Sequence, residues 1–183
     1  MAEEQSPETK ASARQFMTGL MSAPPPMATT TSGGGDGVDM AAWKSTYRAA
    51  PCKDSTLMEQ FWSIYDPSST SIWTMVYDEA DSNENLNETI EIVKDFLKQT
   101  ESIQDHCFGV VHTLESLEIE GLWFFNGPDP EQLFGANEGS SWYTWCQVGP
   151  DANELVKKAV AGLLAPTDGR LNGRVIKDTQ AFC

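Results

Sequence analysis

Basic side chains are scarce in this sequence. Twelve lysines and arginines stand against 27 aspartates and glutamates, a formal net charge of -15 over 183 residues. The deficit is concentrated, because residues 55–183 hold only 7 basic side chains beside 21 acidic ones. Nucleic-acid affinity rests largely on lysine and arginine displacing counterions from the phosphate backbone, so the body of the chain is not expected to bind DNA or RNA directly. A protein partner with a basic surface suits that field, and the same charge favours solubility.

Long apolar runs are missing too. No stretch approaches the ~18–20 apolar residues of a membrane-spanning helix, which leaves membrane contact to a partner that could hold the chain at a surface. The opening MAEEQSPETKASARQF has early acids and no apolar h-region, so it does not read as a secretory signal. The four cysteines (Cys52, Cys107, Cys146 and Cys183) stand far apart with no CxxC pair, against a disulfide framework or a zinc site. Free thiols in a reducing, intracellular compartment are expected. The cytoplasm is the direct reading, and a plastid fits if a presequence has been removed.

Catalytic constellations are likewise absent. Asp78-Glu79-Ala80-Asp81 spells a helicase box, yet no GxxxxGK[ST] phosphate loop accompanies it. There is no GxSxG elbow. His106 and His112 are six residues apart on an expected strand, about 20 Å at ~3.3 Å per residue, too far to share a metal ion. Cys107 faces away from His112, which defeats a cysteine–histidine pair. No catalytic residue and no metal ligand is assigned.

What the chain does contain falls into two parts. Residues 1–42 include APPPMATTTSGGGDG and read as an extended low-complexity tail. Within it Phe16, Met17, Leu20 and Met21 form an apolar stripe of about two helical turns, too short to stand alone in water and suited to docking on a partner. Residues 43–183 read as a folded body. Leu57, Phe61, Trp62 and Tyr65 share one side of a helix, and SIWTMVY (71–77) is a strand with Trp73. A helix over 87–103 follows, with Asn87 as N-cap and Ile90, Val93, Phe96, Leu97 and Ile103 along one face. HCFGVVHTL and EIEGLWFF, which carries Trp123, form a hairpin. SSWYTWCQV is a fourth strand, GPDANELVKKAVAGLLAP a helix, and GRVIKDTQAFC a last strand. This order, with mainly adjacent strands pairing, predicts an α+β fold with an antiparallel sheet flanked by helices. In the fourth strand Trp142 and Trp145 point to opposite faces, and their neighbours Glu138, Asp151 and Glu154 are acids rather than the bases of a nucleotide-stacking site. Core is therefore the stronger reading, and Trp62, Trp73, Trp123, Trp142 and Trp145 are expected to form a structural aromatic core.

Five of these segments, in this order, resemble a known family. WKSTYRAAP is similar to a lead-in helix, EQFWSIYDPSSTSIWTMVY to the pattern YFWEHFD…WSLWYSEY, and CFGVVHTLESLEIEGLWFFNG to a strand pair ending in GVWVFRG. SSWYTWCQVGPD resembles YESYTWRKLDP, and GRVIKDTQAFC resembles GKAFNQGKIFK. The family is the conserved C-terminal domain of translation elongation factor 1 gamma, and the resemblance covers about residues 43–183. It implies an α+β fold and no catalytic residues. Full-length members carry a glutathione-transferase-like domain and a lysine-rich linker ahead of it, where this sequence has its tail. Cys146-Gln147 stands where the family pattern has Arg-Lys.

Two functions fit. One is a non-catalytic scaffold or linker subunit that binds other proteins in a large assembly, for example a photosynthetic antenna complex. Bound pigment or lipid would enter only in that version, and no other cofactor is expected. The alternative is an accessory subunit of the translation elongation factor 1 complex.

Overall fold

The computed structural model describes residues 37–183, in which five helices flank a six-stranded antiparallel sheet. The apolar stripe at Phe16, Met17, Leu20 and Met21 lies outside the described residues. The first helix, α1 (Met40–Ala49), opens on Asp39, whose carboxylate accepts from the Ala42 amide. Just ahead of it Val38 is clamped to Asn126 by two hydrogen bonds of 2.9 Å each. Among the described residues regular structure begins at Met40, three residues ahead of the expected boundary at residue 43. Helix α2 (Ser55–Ile64) is capped by Asp54 and buries Leu57, Met58 and Phe61. Strand β1 (Thr70–Tyr77) follows.

Helix α3 (Leu86–Thr100) is capped by Asn85, not by the expected Asn87. Asn85 lies three residues ahead of Glu88, whose amide its side chain reaches. A single 3-10 turn, Glu101–Ile103, ends this segment. Strands β2 (Cys107–Leu114) and β3 (Ile119–Asn126) form the expected hairpin, and all eight residues of β2 are buried. Next come the short α4 (Glu131–Ala136), a 3-10 segment (Glu138–Trp142), β4 (Tyr143–Val148) and α5 (Glu154–Leu164), then β5 (Arg170–Leu171) and β6 (Arg174–Phe182).

The strand order is β4-β1-β3-β2-β6-β5, so only the β2–β3 and β5–β6 pairs join consecutive strands. The expectation of mainly adjacent pairing fails at β1, which inserts between β3 and β4. Strand alternation then splits the core in two. Ile72, Phe108, Val110, Leu122 and Phe124 face α1, α2 and α5, and pack with Trp43, Phe61 and Val160. Met75, Val111, Trp123 and Phe125 face α3 and α4, and pack with Val93, Phe96 and Leu133. The β2 strand owes its continuous burial to this double cover.

One glycine is required by the second cluster. Gly109 lies opposite Trp123 in the β2–β3 register, and a Cβ there would come within 2.6 Å of the indole. Trp123 itself is fully buried, stacked with Phe125 at 6.2 Å and within 6.3 Å of Phe96, Trp145 and Phe182.

Candidate protein-binding grooves

The groups that sequence reasoning weighed for chemistry are committed to structure. His112 is fully buried between cross-strand neighbour Thr179, whose hydroxyl is 2.8 Å from Nδ1, and the Leu163 carbonyl, 2.6 Å from Nε2. That geometry fits a neutral ring that donates from Nε2 to the carbonyl and accepts at Nδ1. Burial holds its pKa below the ordinary histidine value, partly offset by the Leu163 carbonyl. His112 is thus a strut between the sheet and the end of α5. His106 stands exposed in the turn before β2. The Cys107 thiol is buried and pushed up to about 12 by desolvation, so it stays protonated and unreactive. Among the described residues no group of three or more His, Cys, Asp or Glu side chains is placed to hold a metal.

The five tryptophans expected in the core occupy different environments. Trp123 is fully buried, whereas Trp62, Trp73 and Trp145 are half-buried against the two clusters. Trp142 departs from the expectation of a core residue, since it is 57% exposed and belongs to neither cluster. The cause is local. The strand starts at Tyr143, three residues later than the expected start at Ser140, because Glu138–Trp142 turns as a 3-10 segment.

That segment is anchored from both ends. The buried Asn137 donates from Nδ2 to the Phe96 carbonyl at 2.8 Å and to the Thr100 hydroxyl at 3.0 Å, while its oxygen accepts from the Gly139 amide. Asn137 thereby ties the 3-10 turn to the C-terminal end of α3. At the far end the Asp78 amide donates to the Trp142 carbonyl, and the Thr144 hydroxyl donates to the Asp78 carboxylate at 2.6 Å. Trp145 turns inward and donates from its ring nitrogen to the Ser140 carbonyl. The Trp142 backbone is fixed while its ring is left in solvent.

A groove of about 490 Å³ runs beside that ring, between α3 and the end of β1. Tyr77, Phe96, Trp142 and Tyr143 supply aromatic walls, and Glu79 and Asp95 stand exposed at the rim. The Tyr77 and Tyr143 rings lie 5.1 Å apart. The Tyr143 hydroxyl is buried without a hydrogen-bond partner among the described residues, and burial raises its pKa. Neither Glu79 nor Asp95 forms an ion pair among the described residues.

A second, more apolar groove of about 830 Å³ lies between α5, the sheet at Thr74, Val76 and Glu120, and the loop into β5. Leu155, 69% exposed, projects at its edge. Sequence reasoning missed both grooves. Each combines residues from distant segments, and the only local sign was the aromatic density around Trp142.

The sequence matches the profile of the family described as elongation factor 1 gamma, conserved domain, over residues 27–129. Among named proteins it is 25% identical to elongation factor 1-gamma 1 of Oryza sativa subsp. japonica over 145 residues, covering 76% of this chain and 34% of the relative. A probable elongation factor 1-gamma 2 of Arabidopsis thaliana is 26% identical over 143 residues, covering 76% and 33%. Elongation factor 1-gamma of Prunus avium is 23% identical over 145 residues, with 76% and 34% covered. The chain therefore spans about a third of the length of the curated relatives it matches. With the profile covering more than half of its residues, this chain belongs to the elongation factor 1 gamma conserved-domain family.

Proposed function

We propose that this chain is a non-catalytic, protein-binding accessory subunit of a translation elongation factor 1 assembly. The observation that carries the proposal is the family match over residues 27–129. The relatives named above all bear elongation-factor names, which favours this reading over the antenna linker. With the antenna version go its bound pigment or lipid and its plastid setting, and the cytoplasm is the compartment that accompanies translation. The disposition of the reactive groups supports a binding role. His112 has both ring nitrogens engaged, and Cys107 is held as a neutral buried thiol, so neither is available as base or nucleophile. No helix among the described residues is long and apolar enough to cross a membrane. Among the described residues an aromatic, acidic groove and an apolar one are open to partners.

The tail belongs to the same proposal. Phe16, Met17, Leu20 and Met21 would give a second contact, so the body anchors on one subunit and the tail reaches another. The test is affinity purification of the tagged full chain from its native cells, followed by identification of the proteins held. Recovery of other elongation factor 1 subunits is expected. Consistent recovery of a different assembly, with those subunits missing, overturns the proposal. The tail's part is tested by changing Phe16 and Leu20 together to Asp, which should reduce the recovered subunits without altering the folded body.

A further inference from the structure

We propose that the aromatic groove beside Trp142 is a docking site for an arginine side chain, presented by a basic segment of a partner protein. This rests on the protein-binding reading above and names the chemistry of one contact. Three observations converge on it. The first is Trp142, a large ring 57% exposed on a backbone fixed by Asp78 and Asn137. Rigid exposed aromatic rings are characteristic anchors of interfaces, because little ordering entropy is lost when they engage.

The second is the charge of the groove. Glu79 and Asp95 lie on its rim with no ion pair among the described residues, and no lysine or arginine lines it. An anionic ligand is repelled there, and a purely apolar one leaves both carboxylates to be desolvated without compensation. A cation meets both carboxylates and the faces of the Trp142 and Tyr77 rings. The third is the Tyr143 hydroxyl, on a side chain only 6% exposed, which lacks a hydrogen-bond partner beside the groove. It is a donor and acceptor whose desolvation no group among the described residues offsets.

Arginine fits these features better than lysine. Its planar guanidinium stacks flat on indole, and its fork of N–H donors reaches a carboxylate in parallel pairs while leaving donors for a hydroxyl. An ammonium is a compact, strongly hydrated charge with neither the plane nor the fork. The surface thereby selects among cations and does not only attract them.

The test is titration of the ¹⁵N-labelled full chain with the peptide acetyl-Gly-Arg-Gly-Arg-Gly-amide, followed by amide and indole NMR shifts. Shifts are expected at the Trp142 indole N–H and at the amides of Tyr77, Glu79, Gly139 and Tyr143. Trp142→Ala should weaken binding about fivefold, in line with the two- to fivefold of an exposed cation–π contact plus lost ring packing. The charge-neutralised pair Glu79→Gln with Asp95→Asn should weaken it at least as much. Leu155→Ala, in the other groove, should leave it unchanged. The lysine peptide of the same length should bind at least threefold more weakly. Shifts spread evenly over the acidic surface, a Trp142→Ala chain that binds as the parent does, or equal affinity for the lysine peptide each overturn the proposal. Trp142 is exposed, so its removal leaves the fold intact, and unchanged amide dispersion verifies this. A silent peptide together with recovered elongation-factor subunits sinks the arginine site alone. A bound peptide with no such subunits recovered sinks the assembly reading alone.

Discussion

Replacing Gly109 with alanine adds one methyl group to a strand, a change that ordinarily helps. Glycine inside a regular element is about 0.5–1 kcal/mol less favourable than alanine, because it surrenders more backbone freedom on folding. Here the new Cβ would sit 2.6 Å from Cδ2 and Cε3 of the Trp123 indole and 2.7 Å from Cε2, where carbon atoms prefer about 3.5–4.0 Å. The ring must retreat by roughly 1 Å, the shortfall from van der Waals contact. It has nowhere to go, with Phe96, Phe125, Trp145 and Phe182 around it and its nitrogen 3.1 Å from the Met75 sulfur. Overpacking of this kind costs about 1–3 kcal/mol and outweighs the entropic gain. The expected net loss is about 1 kcal/mol, or roughly 2–4 °C in Tm for a chain of this size. Gly162 gives the opposite sign. It lies in α5 with open space where a Cβ would stand, no atom coming within 4 Å, so Gly162→Ala should stabilise by about 0.5–1 kcal/mol. Both are read by urea denaturation followed by far-UV circular dichroism. In a Trp123→Leu background Gly109→Ala should lose most of its cost, a coupling that a double-mutant cycle isolates. Gly109→Ala at parental stability or above refutes the reasoning.

His112 makes folding pH-dependent. Burial depresses its folded pKa, so below the unfolded value of about 6.5 the unfolded chain takes up the proton first. Stability is complete above that value and declines as pH falls through the depressed folded pKa; a His112→Asn variant should show a shallower decline between pH 7 and 5 in thermal melts, and identical slopes would contradict this account. Cys107, with its thiol pushed up to about 12, should resist iodoacetamide in the native chain while exposed Cys52 reacts at least tenfold faster, as peptide mass spectrometry can resolve. Equal native rates would show that Cys107 is not shielded. Asn137→Ala removes a donor from the Phe96 carbonyl, which keeps the Thr100 hydroxyl, and leaves the Gly139 amide without its side-chain acceptor, so it should cost about 1–2 kcal/mol by urea denaturation. A loss under about 0.5 kcal/mol, well short of the penalty for an orphaned buried group, would mean that water replaces the amide.

The parts of this fold visible in the sequence are those written in local periodicity. The stripe at Leu57 and Phe61 gave α2, and the β-branched and aromatic runs gave β1, β2 and β3. Strand order was not legible, because the insertion of β1 between β3 and β4 depends on which faces α3 and α5 cover, a long-range matter. Helix α4 escaped for a different reason. It has six residues, buries only Leu133 and lacks a side-chain cap, so it carries no amphipathic signature. At Trp142 the error was one of phase. The alternation read from Ser140 onward treats Trp142 and Trp145 as equivalent rings on opposite faces. The 3-10 turn held by Asn137 delays the strand to Tyr143, which sends Trp145 inward and Trp142 out.

The acidic balance takes on a narrower meaning once its geometry is known. Of the seven basic residues after residue 54, Lys94, Arg174 and Lys177 are already paired with Glu91, with Glu118 and Glu120, and with Glu115. Lys44, in α1, is buried, donates to the Gln104 carbonyl and has its pKa lowered by that burial. Several of the cations are thus matched to neighbouring acids or buried, which leaves few free to neutralise the other carboxylates. Yet at physiological ionic strength charges more than about 8 Å apart scarcely feel one another. A net charge of -15 therefore draws basic partners in general and cannot choose among them. Discrimination has to come from the few carboxylates that share a cavity with rings, and among the described residues Glu79 and Asp95 beside Trp142 meet that condition. Adding salt should accordingly slow the association of any basic partner, whereas loss of Trp142 should speed the dissociation of the right one.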